Sequence, residues 1–246
     1  MEHISETYMS GSTINYVAAC EEKNKDENYY INDMIMKRGR TLITGMTSYE
    51  NFVFSLKLAI KIANTDKDKD SFLDMFNISD ARILYLDLEV GDYYLKEYLK
   101  ILMMNKKVKD LHFKCLPGLN LSSKEQMEYV NRKIEEFKAQ ILFITPLEYC
   151  FANQKGLTSE IIALREAFDT LISKYDLSIV TTSTDNYDRI IRHRQLLVYF
   201  DNHVFLRNGW LDCVRSVNSR KFSSKQIAKL TDDKLNALCK EHISLN

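Results

Sequence analysis

A segment that starts at Gly45 has the place of a phosphate-binding loop but lacks most of its residues. In the pattern G-x-x-x-x-G-K-[ST], the glycines expose backbone N–H groups to an anion, the lysine neutralises phosphates and the hydroxyl binds Mg²⁺. Gly45 matches the first glycine, whereas Glu50, Asn51 and Phe52 occupy the other three positions. The candidate loop residues are Gly45, Ser48, Tyr49, Glu50, Asn51 and Phe52. By pattern, this segment is not a functional phosphate loop.

Charge adds to that interpretation. Glu50 brings a carboxylate to the position where a glycine would approach the polyphosphate. Two like unit charges 4 Å apart cost about 4 kcal/mol at the dielectric of a protein surface. A single glycine before a helix is otherwise an ordinary turn, and the residues alone leave that reading open.

The second candidate for chemistry is a basic segment near the C-terminus. Residues 189–229 contain nine basic and two acidic side chains, a net charge of +7, while the whole chain has 34 of each sign and a net charge of zero. Basic residues beside aromatic ones (Tyr187, Tyr199 and Trp210) suit phosphate contacts and base stacking. A solvated face or a subunit contact has the same composition. The residues leave both alternatives open.

The elements that must position these groups alternate between strand and helix. Only seven Gly and two Pro occur among 246 residues, whereas about 12% is average, which excludes a turn-dense β-sandwich. Predicted strands cover residues 40–44, 82–88, 108–115, 141–145 and 176–182, and predicted helices 52–63, 91–102, 122–139 and 159–174. Apolar strands alternating with helices predict a mostly parallel sheet with helices on both faces. Three closely spaced strands, residues 196–200, 203–207 and 213–217, predict an antiparallel C-terminal edge.

The order of these elements predicts three parts: an N-terminal arm over residues 1–38, an α/β core over 39–222 and a C-terminal helical extension over 223–246. Five scattered cysteines form no CxxC pair, and the single histidines lack a ligand partner at metal spacing, so we expect no metal site. No apolar run reaches 18 residues, and the first residues lack a basic region followed by an apolar stretch. We therefore expect a cytoplasmic protein with no membrane partner.

Five stretches in order along the chain resemble the RecA-like ATPase core of hexameric replicative helicases, in particular its RepA-type plasmid branch. They cover residues 41–63, 82–102, 140–151, 168–184 and 200–207. The resemblance spans residues 36–221 and implies a RecA-like fold. It also implies that the segment after Gly45 is a degenerate nucleotide loop.

The resemblance assigns roles to further residues. Glu89, after the strand of residues 82–88, matches the family's catalytic glutamate. Thr145, in Ile-Leu-Phe-Ile-Thr-Pro-Leu-Glu148, replaces the aspartate of the family's second acidic strand. Thr184 stands where the sensor strand usually ends in His or Gln. The family places a DNA-facing loop where Arg189, Arg192 and Arg194 lie. The remaining residues predicted to bind nucleic acid or a partner are Arg207, Arg220 and Lys221.

From these observations we expect a catalytically degenerate RecA-like protein with no cofactor, which binds single- or double-stranded DNA or a replication or mobile-element protein. It would act alone or as a homo-oligomer. The first alternative is a divergent helicase or helicase-loader ATPase that uses ATP and Mg²⁺, with Glu89 activating water. The second is a protein-interaction module that does not bind nucleic acid.

Overall fold

A computed structural model describes residues 28–31, 34–45, 47–63, 78–103, 108, 110–151, 157–184, 199–207, 210–215 and 225–226. The strands are β1 (Tyr29–Ile31), β2 (Ile35–Met36), β3 (Arg40–Gly45), β4 (Ile83–Asp87), β5 (Leu111–Cys115), β6 (Ile141–Thr145), β7 (Ser178–Thr184), β8 (Asn202–Arg207), β9 (Trp210–Arg215) and β10 (Lys225–Gln226). The helices are α1 (Ser48–Ala63), α2 (Asp92–Met103), α3 (Lys124–Phe137) and α4 (Leu157–Tyr175), and a short 3₁₀ helix covers Leu147–Cys150.

Eight strands form one sheet in the order β10-β9-β8-β3-β7-β6-β4-β5. The six strands from β8 to β5 in this order are parallel, and β9 and β10 add antiparallel strands at the edge. This confirms the predicted mostly parallel sheet with an antiparallel C-terminal edge. Because the strands are parallel, β3, β4, β6 and β7 all end at one edge, which we call the carboxyl edge.

The helices cover both faces of the sheet, as predicted. On one face α1 and α2 pack over alternate strand residues, such as Ile43, Tyr85 and Val180. On the other face α3 and α4 pack over the intervening ones, such as Leu42 and Ile179. This alternation follows from the two-residue period of a strand. It explains why the parallel strands are apolar at nearly every position.

The described part of the predicted N-terminal arm belongs to the first face. β1 and β2 form an antiparallel pair, and Ile31 and Ile35 are fully buried in the same core as α1. Residues 1–27 lie outside the described residues. At the other end, Lys225–Gln226 forms a short strand where we expected helix, and the remainder of the predicted helical extension also lies outside them. The division into an arm, a core and an extension stays a prediction.

Several predicted elements have different bounds in the structure; for example, β9 covers Trp210–Arg215 where we expected residues 213–217, and β5 begins at Leu111 where we expected residue 108. The helix predicted from Phe52 begins four residues earlier, at Ser48. Tyr199 and Phe200, expected in a strand, precede β8 and pack against α4 instead. In the described part of the chain, no helix is both long and apolar enough to span a bilayer.

Candidate functional site

The junction between β3 and α1 is closed by a helix cap. Thr47 accepts a hydrogen bond from the backbone N–H of Glu50 (3.1 Å) through its side-chain oxygen, which is the geometry of a helix N-cap. Since β3 ends at Gly45 and α1 begins at Ser48, only two residues separate them. A phosphate loop needs a longer arch of exposed N–H groups, so Ser48, Tyr49 and Glu50 are helical residues here.

Asn51 fills the space above the end of β3. Its side chain is 2% exposed, and its amide nitrogen donates to the carbonyl oxygen of Ser183 at the end of β7 (2.7 Å). The amide oxygen lies so close to Gly45 that a Cβ on that residue would overlap it. Gly45 is therefore required by the packing of Asn51, and the residue at the lysine position of the pattern is a buried bridge between α1 and β7.

The residue at the Mg²⁺-hydroxyl position faces away from the carboxyl edge. Phe52 packs against the ring of Tyr98 in α2, with centroids 5.0 Å apart in an edge-to-face arrangement, and both rings are buried in the core between the helices and the sheet. An edge-to-face pair is a stable core contact. Phe52 therefore has a structural role in the core.

Three hydroxyl groups meet below the carboxyl edge. Tyr85 of β4 is fully buried, and its phenol contacts the hydroxyls of Ser55 in α1 (2.9 Å) and Thr145 in β6 (3.0 Å). Burial raises the pKa of the Tyr85 phenol well above its usual value and keeps it neutral. Thr145 was predicted to replace the aspartate of an acidic strand. In the structure it belongs to an uncharged series of hydrogen-bonded hydroxyls, which we call the hydroxyl chain.

Asp87 and Glu89 follow one another at the end of β4 but differ in exposure. The carboxylate of Asp87 is buried and accepts the backbone N–H groups of Val90 (3.2 Å) and Gly91 (2.8 Å), which orders the turn into α2. Glu89 is partly exposed and accepts a hydrogen bond from the hydroxyl of Tyr149 (3.2 Å). Burial raises the pKa of both carboxyl groups. The predicted catalytic glutamate is therefore at the carboxyl edge, with a phenol beside it.

Glu148 ties the end of β6 to the end of β7. One of its oxygens accepts three hydrogen bonds, from the hydroxyl of Ser183 (2.5 Å), the backbone N–H of Thr184 (2.6 Å) and the hydroxyl of Thr184 (3.1 Å). The predicted sensor residue Thr184 is therefore occupied by a carboxylate of the same chain. The structure brings together Asn51, Glu148 and Thr184, which are distant in sequence.

ATP and Mg²⁺, which a RecA-like fold implies, do not match the residues at this edge. The position of the loop lysine is a buried amide, that of the Mg²⁺ hydroxyl is a core phenylalanine, and Thr145 at the acidic position is bonded to Tyr85. Among the side chains that the structure describes at this edge, those of Asp87, Glu89 and Glu148 are carboxylates, which repel a polyphosphate. Arg207 ends β8 at the same edge. Across the described residues, no three His, Cys, Asp or Glu side chains group as metal ligands do.

Most of the predicted nucleic-acid or partner contacts lie beyond what the structure describes. Residues 185–198 and 216–224 are outside the described ranges, and these contain Arg189, Arg192, Arg194, Arg220 and Lys221. Only the backbone of Arg207 is described, at the end of β8. Because Leu206 pairs with Gly45, Arg207 lies at the carboxyl edge, on the side of β3 away from β7.

Tyr199, which we considered for base stacking, is part of the protein interior. Its ring contacts the guanidinium groups of Arg40 (4.2 Å) and Arg165 (4.9 Å), and its hydroxyl donates to Asp169 (2.9 Å). The backbone N–H of Arg40 in turn donates to Asp201 (2.8 Å). This network fixes the start of β8 against β3 and α4, and it removes Tyr199 from any stacking surface.

Comparison with known proteins supports the fold. No protein-family model matches the chain, and no curated protein matches it. Among solved structures, the chain is similar to a KaiC-like protein from the hyperthermophilic archaeon Pyrococcus horikoshii, with a TM-score of 0.56 and 11% identity over 79% of this chain and 87% of the other. At this identity the likeness shows the fold alone. The chain therefore has a RecA-like α/β fold.

Sequence reasoning missed two residues that shape this edge, Thr47 and Tyr85. The start of α1 at Ser48 has a local signal, because Thr47 and Glu50 form the T-x-x-E pattern of a capping box. Tyr85 has none, since a tyrosine inside an apolar strand does not reveal which hydroxyls its phenol will meet. Its role depends on the pairing of β4 with β6.

Proposed function

We propose that this chain is a RecA-like protein that does not hydrolyse ATP and acts by binding DNA, or a replication or mobile-element protein, through its basic C-terminal segment. The observation that carries the proposed lack of ATP hydrolysis is the buried Asn51 side chain, which lies across Gly45 and donates to Ser183. The hydroxyl chain through Tyr85 and the core position of Phe52 support it. The net charge of +7 over residues 189–229 supports the proposed binding through the basic segment.

The proposed lack of ATP hydrolysis is tested by calorimetric titration with ATP and Mg²⁺ and by a phosphate-release assay. We expect no heat of binding and no turnover. A second candidate, the divergent ATPase, is favoured by one observation: Glu89 lies partly exposed at the end of β4 beside Tyr149. ATP turnover that Glu89→Gln abolishes would establish that candidate and refute ours.

The proposed binding through the basic segment is tested by fluorescence anisotropy with single- and double-stranded oligonucleotides over a range of salt concentrations. The variant Arg189/Arg192/Arg194→Ala should bind more weakly than the wild type. If all three residues contact phosphates, the slope of log affinity against log salt should fall by about 2 to 3. The matched control is Lys96/Lys124/Arg132→Ala, which removes the same charge from exposed positions of α2 and α3.

Equal binding by the Arg189/Arg192/Arg194 variant and the wild type would show that this segment is not the DNA contact. No DNA binding at low salt would instead favour the protein-partner alternative. In that case a partner that co-purifies from the native host, and is lost in the triple variant, would identify the same segment as its contact. Sedimentation of each variant reports whether the protein is an oligomer.

A further inference from the structure

A cavity of about 410 Å³ lies at the end of β5, the outermost strand of the sheet, between the loop that follows this strand and one side of α3. Its loop wall is mainly apolar and includes Leu116, Pro117 and Leu119. Ligand pockets have volumes of about 300 to 1,000 Å³ and combine apolar walls with a few polar groups. The cavity is therefore large enough for a small ligand. It is separate from the junction of β3 and α1, because β4, β6 and β7 lie between β5 and β3.

The α3 wall of the cavity carries three polar side chains that share one side of the helix. Glu125, Tyr129 and Arg132 line the cavity at positions i, i+4 and i+7, a spacing that places them in one row along the helix. Val130 and Ile134, which α3 buries in the core, lie on a different side. The row has a carboxylate at one end, a phenol ring in the middle and a guanidinium group at the other end.

The two charged ends of this row have no ion-pair partner in the described part of the chain. Both Glu125 and Arg132 are exposed, and the guanidinium group lies 5.9 Å from the ring centroid of Tyr129. Because a helix rises 1.5 Å per residue, the two charged residues are about 10.5 Å apart along α3. A ligand that pairs with both ends must carry a positive and a negative group at about that separation.

Gln126 adds a hydrogen-bond donor to the same wall. Its side-chain oxygen accepts the backbone N–H of Asn120 (2.5 Å), which fixes the side chain at the cavity. Its amide nitrogen forms no hydrogen bond with the residues that the structure describes. This NH₂ group can therefore donate to a ligand, and a peptide carbonyl oxygen is a suitable acceptor.

We propose that this cavity binds a short apolar peptide of about three residues with free termini, whose ammonium group pairs with Glu125 and whose carboxylate pairs with Arg132. An extended chain spans about 3.3 to 3.6 Å per residue, so three residues cover about 10 to 11 Å, which matches the length of the row on α3. The apolar side chains of the peptide pack on Leu116 and Leu119, and one of its carbonyl oxygens accepts from Gln126. The proposal does not depend on DNA binding or on the lack of ATP hydrolysis.

The test is a chemical-shift titration at low salt with the peptide Leu-Ala-Leu and with its N-acetylated and C-amidated forms. We expect the free peptide to bind and to move the amide signals of residues 116–132. Glu125→Gln should weaken the binding of the free and the amidated peptide by about threefold to fivefold, as expected for an exposed ion pair, and leave the acetylated peptide unchanged. Arg132→Gln should weaken the free and the acetylated peptide to the same extent and leave the amidated peptide unchanged.

The matched controls are Glu128→Gln and Lys138→Gln, which remove the same charges from exposed positions that do not line the cavity. Each should bind the free peptide as the wild type does, to within about twofold. The probe Gly-Gly-Gly has the same termini without apolar side chains and should bind at least about tenfold more weakly. The proposal is overturned if Leu-Ala-Leu does not bind or moves only signals outside residues 116–132. It is also overturned if Gly-Gly-Gly binds equally well, or if each cavity variant weakens the free and the blocked peptides alike.

Discussion

The side-chain amide of Asn51 donates a 2.7 Å hydrogen bond to the carbonyl oxygen of Ser183, 132 residues further along the chain. This one contact joins the first turn of α1 to the last residues of β7 at the place where a RecA-like fold has its nucleotide loop. It requires a residue without a side chain at Gly45.

Gly45→Ala should destabilise the wild type by about 1 to 3 kcal/mol, because the new methyl group overlaps the amide oxygen of Asn51. In an Asn51→Ala background the same change should be nearly neutral, since the other atom nearest to the methyl, the Cβ of Leu206, lies at an ordinary 3.4 Å. Urea unfolding of the four proteins of this cycle gives the coupling energy. Additive effects would show that Asn51 does not lie over Gly45.

Asn51→Lys should not create a nucleotide site, although it restores the lysine of the phosphate-loop pattern. The position is buried, so the ammonium group would lose its hydration and Ser183 would lose its donor. We expect a less stable protein that shows no heat on titration with ATP and Mg²⁺. Binding of ATP by this variant would mean that the junction of β3 and α1 can open into a loop.

Tyr85→Phe should cost about 1 to 2 kcal/mol of unfolding free energy, because it removes the shared partner of two buried hydroxyls, Ser55 and Thr145. Urea unfolding measures the loss. Tyr129→Phe serves as the control, since that ring is only partly buried, and it should change the stability little. Equal effects at both positions would contradict the role of the hydroxyl chain.

Glu89→Gln should stabilise the protein at pH 7 and have no effect in acid. Burial raises the pKa of Glu89 in the folded state above its ordinary 4.5. Between these two pKa values the folded state holds more protons than the unfolded one, so stability falls as the pH rises through this range and stays lower above it. The glutamine removes that penalty and can still accept a hydrogen bond from Tyr149.

Melting temperatures of the wild type and Glu89→Gln between pH 4 and pH 8 measure this difference. It should be largest near neutrality and shrink as the pH falls below about 4.5, because the carboxyl group then becomes protonated in the unfolded state as well. A variant that melts below the wild type at pH 7 would show that the charge of Glu89 is stabilising.

Much of the fold could be predicted because its signals are local. The apolar run of β6 gave its bounds without error. The helix predicted over residues 122–139 has a serine at its start, and Ser123 caps α3 by accepting a hydrogen bond from the backbone of Gln126. The start of α1 was wrong for a physical reason. The apolar spacing that predicts this helix begins only at Phe52, whereas Thr47 caps a helix that begins at Ser48.

The contacts of the candidate site could not be predicted in the same way. Asn51 reaches Ser183 only because β3 pairs with β7 in a register that sets Thr44 beside Ser183. Glu148 reaches Thr184 only because β6 is the next strand in the sheet. Both relationships join residues from separate elements, so they depend on strand order, which no local pattern contains. The predicted roles of Glu89 and of the basic residues stay predictions.

The hydroxyl chain through Tyr85 also bears on how this protein could evolve. An acid at position 145 would face a buried phenol, a lysine at position 51 would lose its water, and a hydroxyl at position 52 would leave the ring of Tyr98 without its neighbour. Each of these single substitutions should therefore lower the stability of the fold. In homologues, the residues at positions 45, 51, 52, 85 and 145 should therefore vary together, because a change at one of them is tolerated only with changes at the others.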